Sequence, residues 1–276
     1  AAPAAAPAPD SGDNRFKARV RAARPGGDRA VSDFNIQVGQ LAAVPRKSAA
    51  ELLTLAPGIL LVNHGGAGHA SQVFLRGFDA REGQDLEFSV NGVPINEVAN
   101  AHGQGYADSN FILPELVESL RVVEGPFDPR QGDFAVAGSA EYRLAVPERG
   151  LRLTYQGGSF NTHRLLAVWA PNLPDNRLGL GRAGTFGAIE LQQSSGYGQN
   201  RFSQRATAHL GWELPFGDTG VLRVLVLSYA ARFKSPGVVR QDDFLSGRVD
   251  FFGTYDDRQG GDAQRHGFSV DLSGRA

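Results

Sequence analysis

The sequence contains no cysteine, which removes disulfide frameworks, thiolate metal sites and a thiol nucleophile together. Methionine is also absent, even at position 1, so the chain is expected to be processed or cut from a longer one. The opening AAPAAAPAPD fits the remainder left after a secretory signal is cleaved at small residues. Neither sign of charge dominates: 28 Lys and Arg stand against 29 Asp and Glu, which offers no basic field for a nucleic-acid backbone. No stretch reaches the ~18 consecutive apolar residues of a membrane-spanning helix. A spanning β-strand remains open, because it needs only about 9–11 residues with apolar side chains at alternate positions.

Catalytic constellations are missing as well, and no enzyme is expected. There is no Gly-x-Ser-x-Gly elbow. Gly65-Gly66-Ala67-Gly68 lacks the Lys-Ser/Thr of a phosphate loop and reads as a tight turn. His64 and His69 lie five apart with no third ligand at a helical spacing, so neither a metal site nor a cofactor is expected.

What is present falls into three parts. Residues 1–30, rich in Ala and Pro and then in Arg, carry no apolar period and are expected to form a flexible leader. Residues 31–147 read as one mixed α/β unit. Ser48-Ala49-Ala50-Glu51 has the spacing of a capping box, which predicts a short helix ended by Pro57-Gly58. Ile59 to Val62, Val73 to Leu75 and Leu86 to Val90 are strand-like, and Asn91-Gly92 is a strong hairpin signal. Pro114 at a first helical position predicts a second helix through Leu120, leading into a strand at Arg121-Val122-Val123. Long polar loops fall at 77–85 and 99–110.

From residue 148 to 276 the pattern has period two. Leu151, Leu153 and Tyr155 alternate with polar residues. So do Leu165, Ala167 and Trp169; Ala206, Ala208, Leu210, Trp212 and Leu214; Leu225, Leu227, Tyr229, Ala231 and Phe233; Val249, Phe251 and Tyr255; and Phe268, Val270 and Leu272. With a segment from Thr185 to Gln193, about seven strands are expected. A soluble sandwich also alternates. Several segments, however, run to ten residues or more, beyond the ~5–6 of ordinary strands, and carry aromatics near their ends as lipid-facing strands do. Seven strands are fewer than the smallest single-chain barrel of about eight, so an incomplete barrel is expected.

Leu52-Leu53-Thr54-Leu55-Ala56-Pro57-Gly58-Ile59, Gly65-Gly66-Ala67-Gly68 and Phe74-Leu75-Arg76-Gly77-Phe78 together resemble the plug domain of TonB-dependent outer-membrane receptors. The likeness continues through Val90-Asn91-Gly92-Val93-Pro94-Ile95-Asn96, Leu113-Pro114-Glu115-Leu116-Val117-Glu118 and Glu124-Gly125-Pro126, and ends with Gln131-Gly132 and Ala137-Gly138. It covers roughly residues 40–146. The resemblance implies a plug followed by antiparallel transmembrane strands of a 22-stranded barrel in a Gram-negative outer membrane. Such a receptor binds a scarce extracellular solute of iron-siderophore, cobalamin or oligosaccharide type and imports it to the periplasm. Its implied partners are a TonB-type inner-membrane energy-coupling protein, the solute and outer-membrane lipid. The alternative is a signalling or assembly module whose plug binds a protein partner without transport. A soluble periplasmic enzyme is disfavoured because no catalytic constellation emerges.

The two polar loops are expected to reach the external mouth, offering Asp79, Arg81, Glu82 and Gln84 from the first and Asn100, His102, Gln104, Tyr106 and Asp108 from the second as ligand contacts. The plainer reading is that they pack against the barrel wall. Arg76, Gly77, Arg121, Glu124, Gly125 and Pro126 are expected to be structural or coupling residues. Two departures from the family pattern stand out. The charges of Arg121-Val122-Val123-Glu124 are exchanged, so Glu124 is expected to seek a barrel arginine, and Gln131 replaces the usual tyrosine. The one weak candidate for a TonB-binding segment is Arg15 to Val20, as an added strand.

Overall fold

The computed structural model describes residues 32–41, 46–64, 66–173, 178–217 and 219–274. The leader and the Arg15–Val20 segment lie outside the described residues.

The N-terminal unit contains β1 (Asp33–Gln37), β2 (Ile59–Val62), β3 (Gln72–Leu75), β4 (Phe78–Asp79), β5 (Leu86–Val90), β6 (Val93–Pro94), β7 (Val117–Glu124) and β8 (Gly138–Leu144). One sheet has the order β1-β7-β8-β5-β6, and β2-β3-β4 form a small meander. Within the larger sheet β5 and β8 run parallel, while the other neighbours are antiparallel. Asn91 and Gly92 turn the β5–β6 hairpin with φ of 49° and 81°. Two successive left-handed residues are what a type I′ turn demands, and Asn-Gly adopts them at least cost.

Both expected helices are shorter and tighter than the sequence implied. Ala49–Leu55 is a 3₁₀ segment, and the Ser48 hydroxyl makes no capping bond. Glu51 instead accepts a hydrogen bond from the Lys47 amide at 3.0 Å, which holds the entry to the segment from one residue further back. The segment buries Ala49, Leu52 and Leu53, each of the two leucines contributing ~1.5–3 kcal/mol of apolar burial. After Pro114–Leu116, a single 3₁₀ turn, the chain is already the strand β7 rather than a helix to Leu120. Leu120 pairs with Tyr142 and Val122 with Ala140, all four fully buried. Neighbouring strands on both sides and the β-branched Val117, Val122 and Val123 outweigh the helical start signal of proline.

The second part is an antiparallel meander of six strands: β9 (Gly150–Gly158), β10 (Thr162–Ala170), β11 (Phe186–Ser194), β12 (Ser203–Phe216), β13 (Gly220–Lys234) and β14 (Gly260–Ser273). The sheet does not close on itself. Its register lines up Leu151, Trp169, Gly187, Leu210, Val226 and Phe268 in one row across all six strands. This row and its neighbours Leu153, Ile189, Val270 and Leu272 make a broad exposed apolar face. On the inner face Leu166, Val168, Phe186, Ala188, Leu225 and Tyr229 join one core with Phe111, Leu116 and Val117 of the N-terminal unit.

Two of the alternation readings change. In β13 the chosen residues Leu225, Leu227 and Tyr229 face inward, because that strand is apolar on both sides and Val226 takes the outward row. Val249, Phe251 and Tyr255 are not a strand: α1 (Gln241–Leu245) and a loop occupy 241–259. There Asp250 accepts the Phe252 amide at 2.7 Å and its carbonyl accepts that of Gly253 at 3.1 Å, a local turn that competes with ladder pairing.

Candidate functional site at the loop cluster and the wall

Both polar loops of the N-terminal unit converge, and Asn96 joins them. Its amide donates to the carbonyls of Gly83, Leu86 and Gly105 at 2.8–3.0 Å while its Oδ1 accepts the Phe88 amide at 2.7 Å. Gln84 Nε2 adds a bond to the His102 carbonyl at 2.8 Å, and the Ala107 amide donates to the carbonyl of Glu82 at 2.8 Å. A third loop, between β2 and β3, closes the cluster. Tyr106 Oη accepts the Ala70 amide at 2.8 Å, and Asn110 Nδ2 donates to the His69 carbonyl at 3.2 Å.

The expected contact residues divide by exposure. Asp79, Arg81, Asn100, His102 and Gln104 lie at the surface or partly so, as do Glu82 and Gln84, whereas Tyr106 is buried. Asp79 accepts two bonds from Gln72 Nε2 and one from the Arg81 amide, which together lower its carboxyl pKa. Asn100 donates to Glu97 at 2.6 Å and accepts the His102 amide. Burial pushes the Tyr106 phenol up to about 12 and raises the Asp108 carboxyl despite the Asn110 amide at 2.7 Å. His102 stacks on Tyr106 at 5.1 Å between ring centres and meets His69 edge to face at 4.5 Å. No local pattern announces the contacts of His69 and Asn110, made across 33 to 41 residues, and the partners of Asn96, 8 to 13 residues away, are backbone groups that carry no sequence signal. Among the described residues no three His, Asp or Glu side chains converge as a metal cage.

Arg76 and Gly77 form the β3–β4 turn with φ of 49° and 84°. Glu124 does not reach a barrel arginine: it pairs with Arg76, and burial raises its pKa against that attraction. The end of β7 lies against this turn, so the nearest cation belongs to the same unit. Arg121 is held by Asp33 at 2.8 and 3.0 Å and by Asp128 at 2.7 Å. Gln131 bridges the Gly125 carbonyl and Ser139 Oγ, fixing the Gly125-Pro126 bend.

Contact with the wall runs through other charges. Arg164 of β10 binds Glu115 with two bonds of 2.6 and 2.9 Å and also pairs with the fully buried Glu190, which Arg205 holds at 2.8 Å from the far side. His209 of β12 bonds the Phe111 carbonyl at 2.8 Å. Arg265 of β14 donates to the Ile95 carbonyl at 2.9 Å and lies over the Phe111 ring. Phe233 fills the space beside Gly68 that a Cβ would need.

Comparison with known proteins places this geometry. A family model, the TonB-dependent Receptor Plug Domain, matches residues 29–139. The vitamin B12 transporter BtuB of Vibrio vulnificus is 36% identical over 92 residues, 33% of this chain and 14% of that protein. Among solved structures, the ferric citrate transporter FecA in its unliganded form superposes with a TM-score of 0.66 at 17% identity, over 88% of this chain and 37% of that one. The siderophore receptor PiuA of Acinetobacter baumannii gives 0.64 at 18%, over 88% and 34%. The chain therefore spans little more than a third of these solved receptors, and at such identities the likeness concerns fold. Residues 29–139 thus match the plug domain of TonB-dependent receptors, and the chain as a whole shares the fold of the corresponding part of these solved receptors.

Proposed function

We propose that this chain supplies the plug and adjoining wall of an outer-membrane receptor that binds a scarce extracellular solute and passes it to the periplasm with energy from a TonB-type partner. The observation that supports this reading best is the seating of the plug. It is held to the inner face of the wall by side-chain ion pairs and hydrogen bonds, while the outer face of the same strands presents an unbroken apolar row. A sheet whose inner face is occupied by the plug, through a shared core and charged contacts, and whose outer face is apolar suits a lipid bilayer around a filled lumen. The same contrast supports a proposed division into a plug at residues 31–147 and barrel strands at 148–276. Relatives include a vitamin B12 transporter, a ferric citrate transporter and a siderophore receptor, so solutes of these kinds are the first to try. The contact residues proposed are Asp79, Arg81, Glu82, Gln84, Asn100, His102, Gln104, Tyr106 and Asp108, on loops joined through Asn96. The role is recognition and passage rather than catalysis.

The test is membrane fractionation of the full-length protein in its host, with uptake of labelled ferric siderophore and cobalamin in wild type and in a strain lacking residues 31–147. Outer-membrane location with energy-dependent uptake lost on deletion supports the proposal. Recovery in the soluble fraction refutes it.

A further inference from the structure

We propose that Arg149 is a positioning residue for transport: it anchors the C-terminal end of the plug to the backbone of the wall, so that the plug opens elsewhere and reseats on a fixed end. The role in transport rests on the receptor reading above.

Arg149 stands where the plug becomes the wall, between Pro147 and the start of β9. All but one of its N–H groups are taken up by backbone carbonyls. Nε donates to Pro171 at 3.1 Å, Nη1 to Val146 at 2.5 Å, and Nη2 to Leu180 at 3.3 Å and Thr185 at 2.7 Å. These acceptors belong to three pieces of chain: the end of the plug, the residue after β10 and the segment leading into β11. Among the described residues no carboxylate pairs with Arg149, and burial alone lowers its pKa. Arg164, Arg205 and Arg265, by contrast, each meet a glutamate. Those arginines balance charge across the seam, whereas Arg149 pins main chain. The planar guanidinium can serve carbonyls in several directions at once, which the single nitrogen of a lysine cannot.

The segment that Arg149 grips is itself fixed to β12. Thr185 Oγ1 donates to the Gly179 carbonyl at 2.8 Å and accepts the Glu213 amide at 3.0 Å. Arg182 pairs with Glu213 at 3.0 Å, and Trp212 Nε1 donates to the Leu178 carbonyl at 2.8 Å. Gly179, with φ of 67°, lies so close to β12 that a Cβ would stand 1.8 Å from the Glu213 carbonyl oxygen. On the plug side the Val146 amide donates to the Ala183 carbonyl at 2.8 Å, and the Leu144 amide donates to Asn91 Oδ1 at 2.8 Å. The link at 146–150 is therefore a weld rather than a hinge. A plug leaving as one body about this link would break the bonds to Arg149 and Ala183 together, while displacement elsewhere in the plug leaves them intact. The end at Val146 then keeps its place on the sheet, and the displaced part has a template to close on.

The experiment compares the full-length receptor with Arg149→Lys, Arg149→Met and an Arg240→Lys control in an exposed ion pair. Outer-membrane yield shows that each variant folds, and Arg149→Lys, the milder change, tests the anchor even if Arg149→Met does not. Hydrogen exchange in detergent should quicken about 10–100-fold at the amides of Val146, Thr185 and Glu213 in both Arg149 variants, the equivalent of one lost bond to a charged group. The control should match wild type. Entry of a hydrophilic fluorescent dye into the host periplasm is the second readout, because a plug that fails to reseat leaves the lumen open. Dye should enter the Arg149 strains only while the inner membrane is energised, whereas a plug that is merely ill-packed leaks with or without energy. Unchanged exchange in either Arg149 variant overturns the proposal. So does a leak independent of energy, or no leak in a host whose wild type shows energised uptake. Faster exchange as expected, with no energy-dependent uptake of ferric siderophore or cobalamin by wild type, would count against the receptor reading and leave the anchor standing.

Discussion

Replacing Arg164 with Met and Glu115 with Gln, singly and together, tests whether the plug is held to the wall by charge. In the wild type two arginines and two carboxylates balance: Glu115, Arg164, Glu190 and Arg205. Arg164→Met leaves two carboxylates facing one arginine, one of them fully buried, and breaking a buried pair costs about 3–5 kcal/mol. Glu115→Gln leaves the opposite imbalance. The Glu115 side chain is 26% exposed, so water recovers part of the loss and the cost falls near the low end of the ~1.5–3 kcal/mol of a hydrogen bond to a charged group. The double variant restores neutrality, with Glu190 and Arg205 still paired. It should therefore be less damaged than the sum of the singles, by about 1–2 kcal/mol. Hydrogen exchange of the full-length receptor, followed at residues 111–124 and at the Ala145 amide that donates to the Leu116 carbonyl, reads the local opening energy directly. If the singles add to within about 0.5 kcal/mol of the double, the pair does not couple plug to wall and the reasoning fails.

Three further outcomes are expected. Asn96→Ala removes the partner of four backbone groups and should cost about 2–3 kcal/mol after partial rehydration, seen as faster exchange at residues 83–88 and 105–107; a change under about 0.5 kcal/mol contradicts the tie. Tyr106, its pKa raised from 10.0 to about 12, should stay protonated in an alkaline absorbance titration until well after an exposed tyrosine has ionised. Because its folded pKa is the higher one, its contribution to stability is complete below about pH 10 and is lost as pH rises through about 12, so ionisation near pH 10 in the folded protein would contradict the burial. Leu210→Arg, in the middle of the outward row, should cost about 2–4 kcal/mol in a bilayer when refolding into vesicles is measured, and a cost near zero would argue that this face never meets lipid.

Much of this fold was legible because its signals are local. Asn91-Gly92 announces a turn by residue type alone, and a strand with one apolar side, such as β9 or β12, shows its period within a few residues. Where both sides are apolar, as in β13, the period survives but does not say which side meets the plug. Pro114 gave a true start signal whose helix was overruled by strands on either side of β7. The loop from Val249 to Tyr255 mimicked alternation while Asp250 was closing a turn. The site was legible only in part. The polar loops could be read, but Glu115 and Arg164 lie 49 residues apart, and nothing in the sequence near either one names the other. The exchanged charges at Arg121 and Glu124 were visible, yet their partners Asp33, Asp128 and Arg76 depend on how the strands pair.

The position of β1 has a mechanical consequence. It is the edge strand of the plug sheet, antiparallel to β7, and the chain enters it at Asp33, whose carboxylate holds Arg121. A load drawing on the chain before Ser32, away from the sheet, meets the Asp33–Val123 end first and then each successive pair down to Gln37–Ser119. Such peeling breaks bonds one after another, whereas force along two paired strands must shear all of them at once. The remaining ladder of β7, β8 and β5 is not in that line, so β1 is a weak link in series with a strong body, and a modest pull can lengthen the chain there while the wall contacts of Glu115 and Phe111 stay closed.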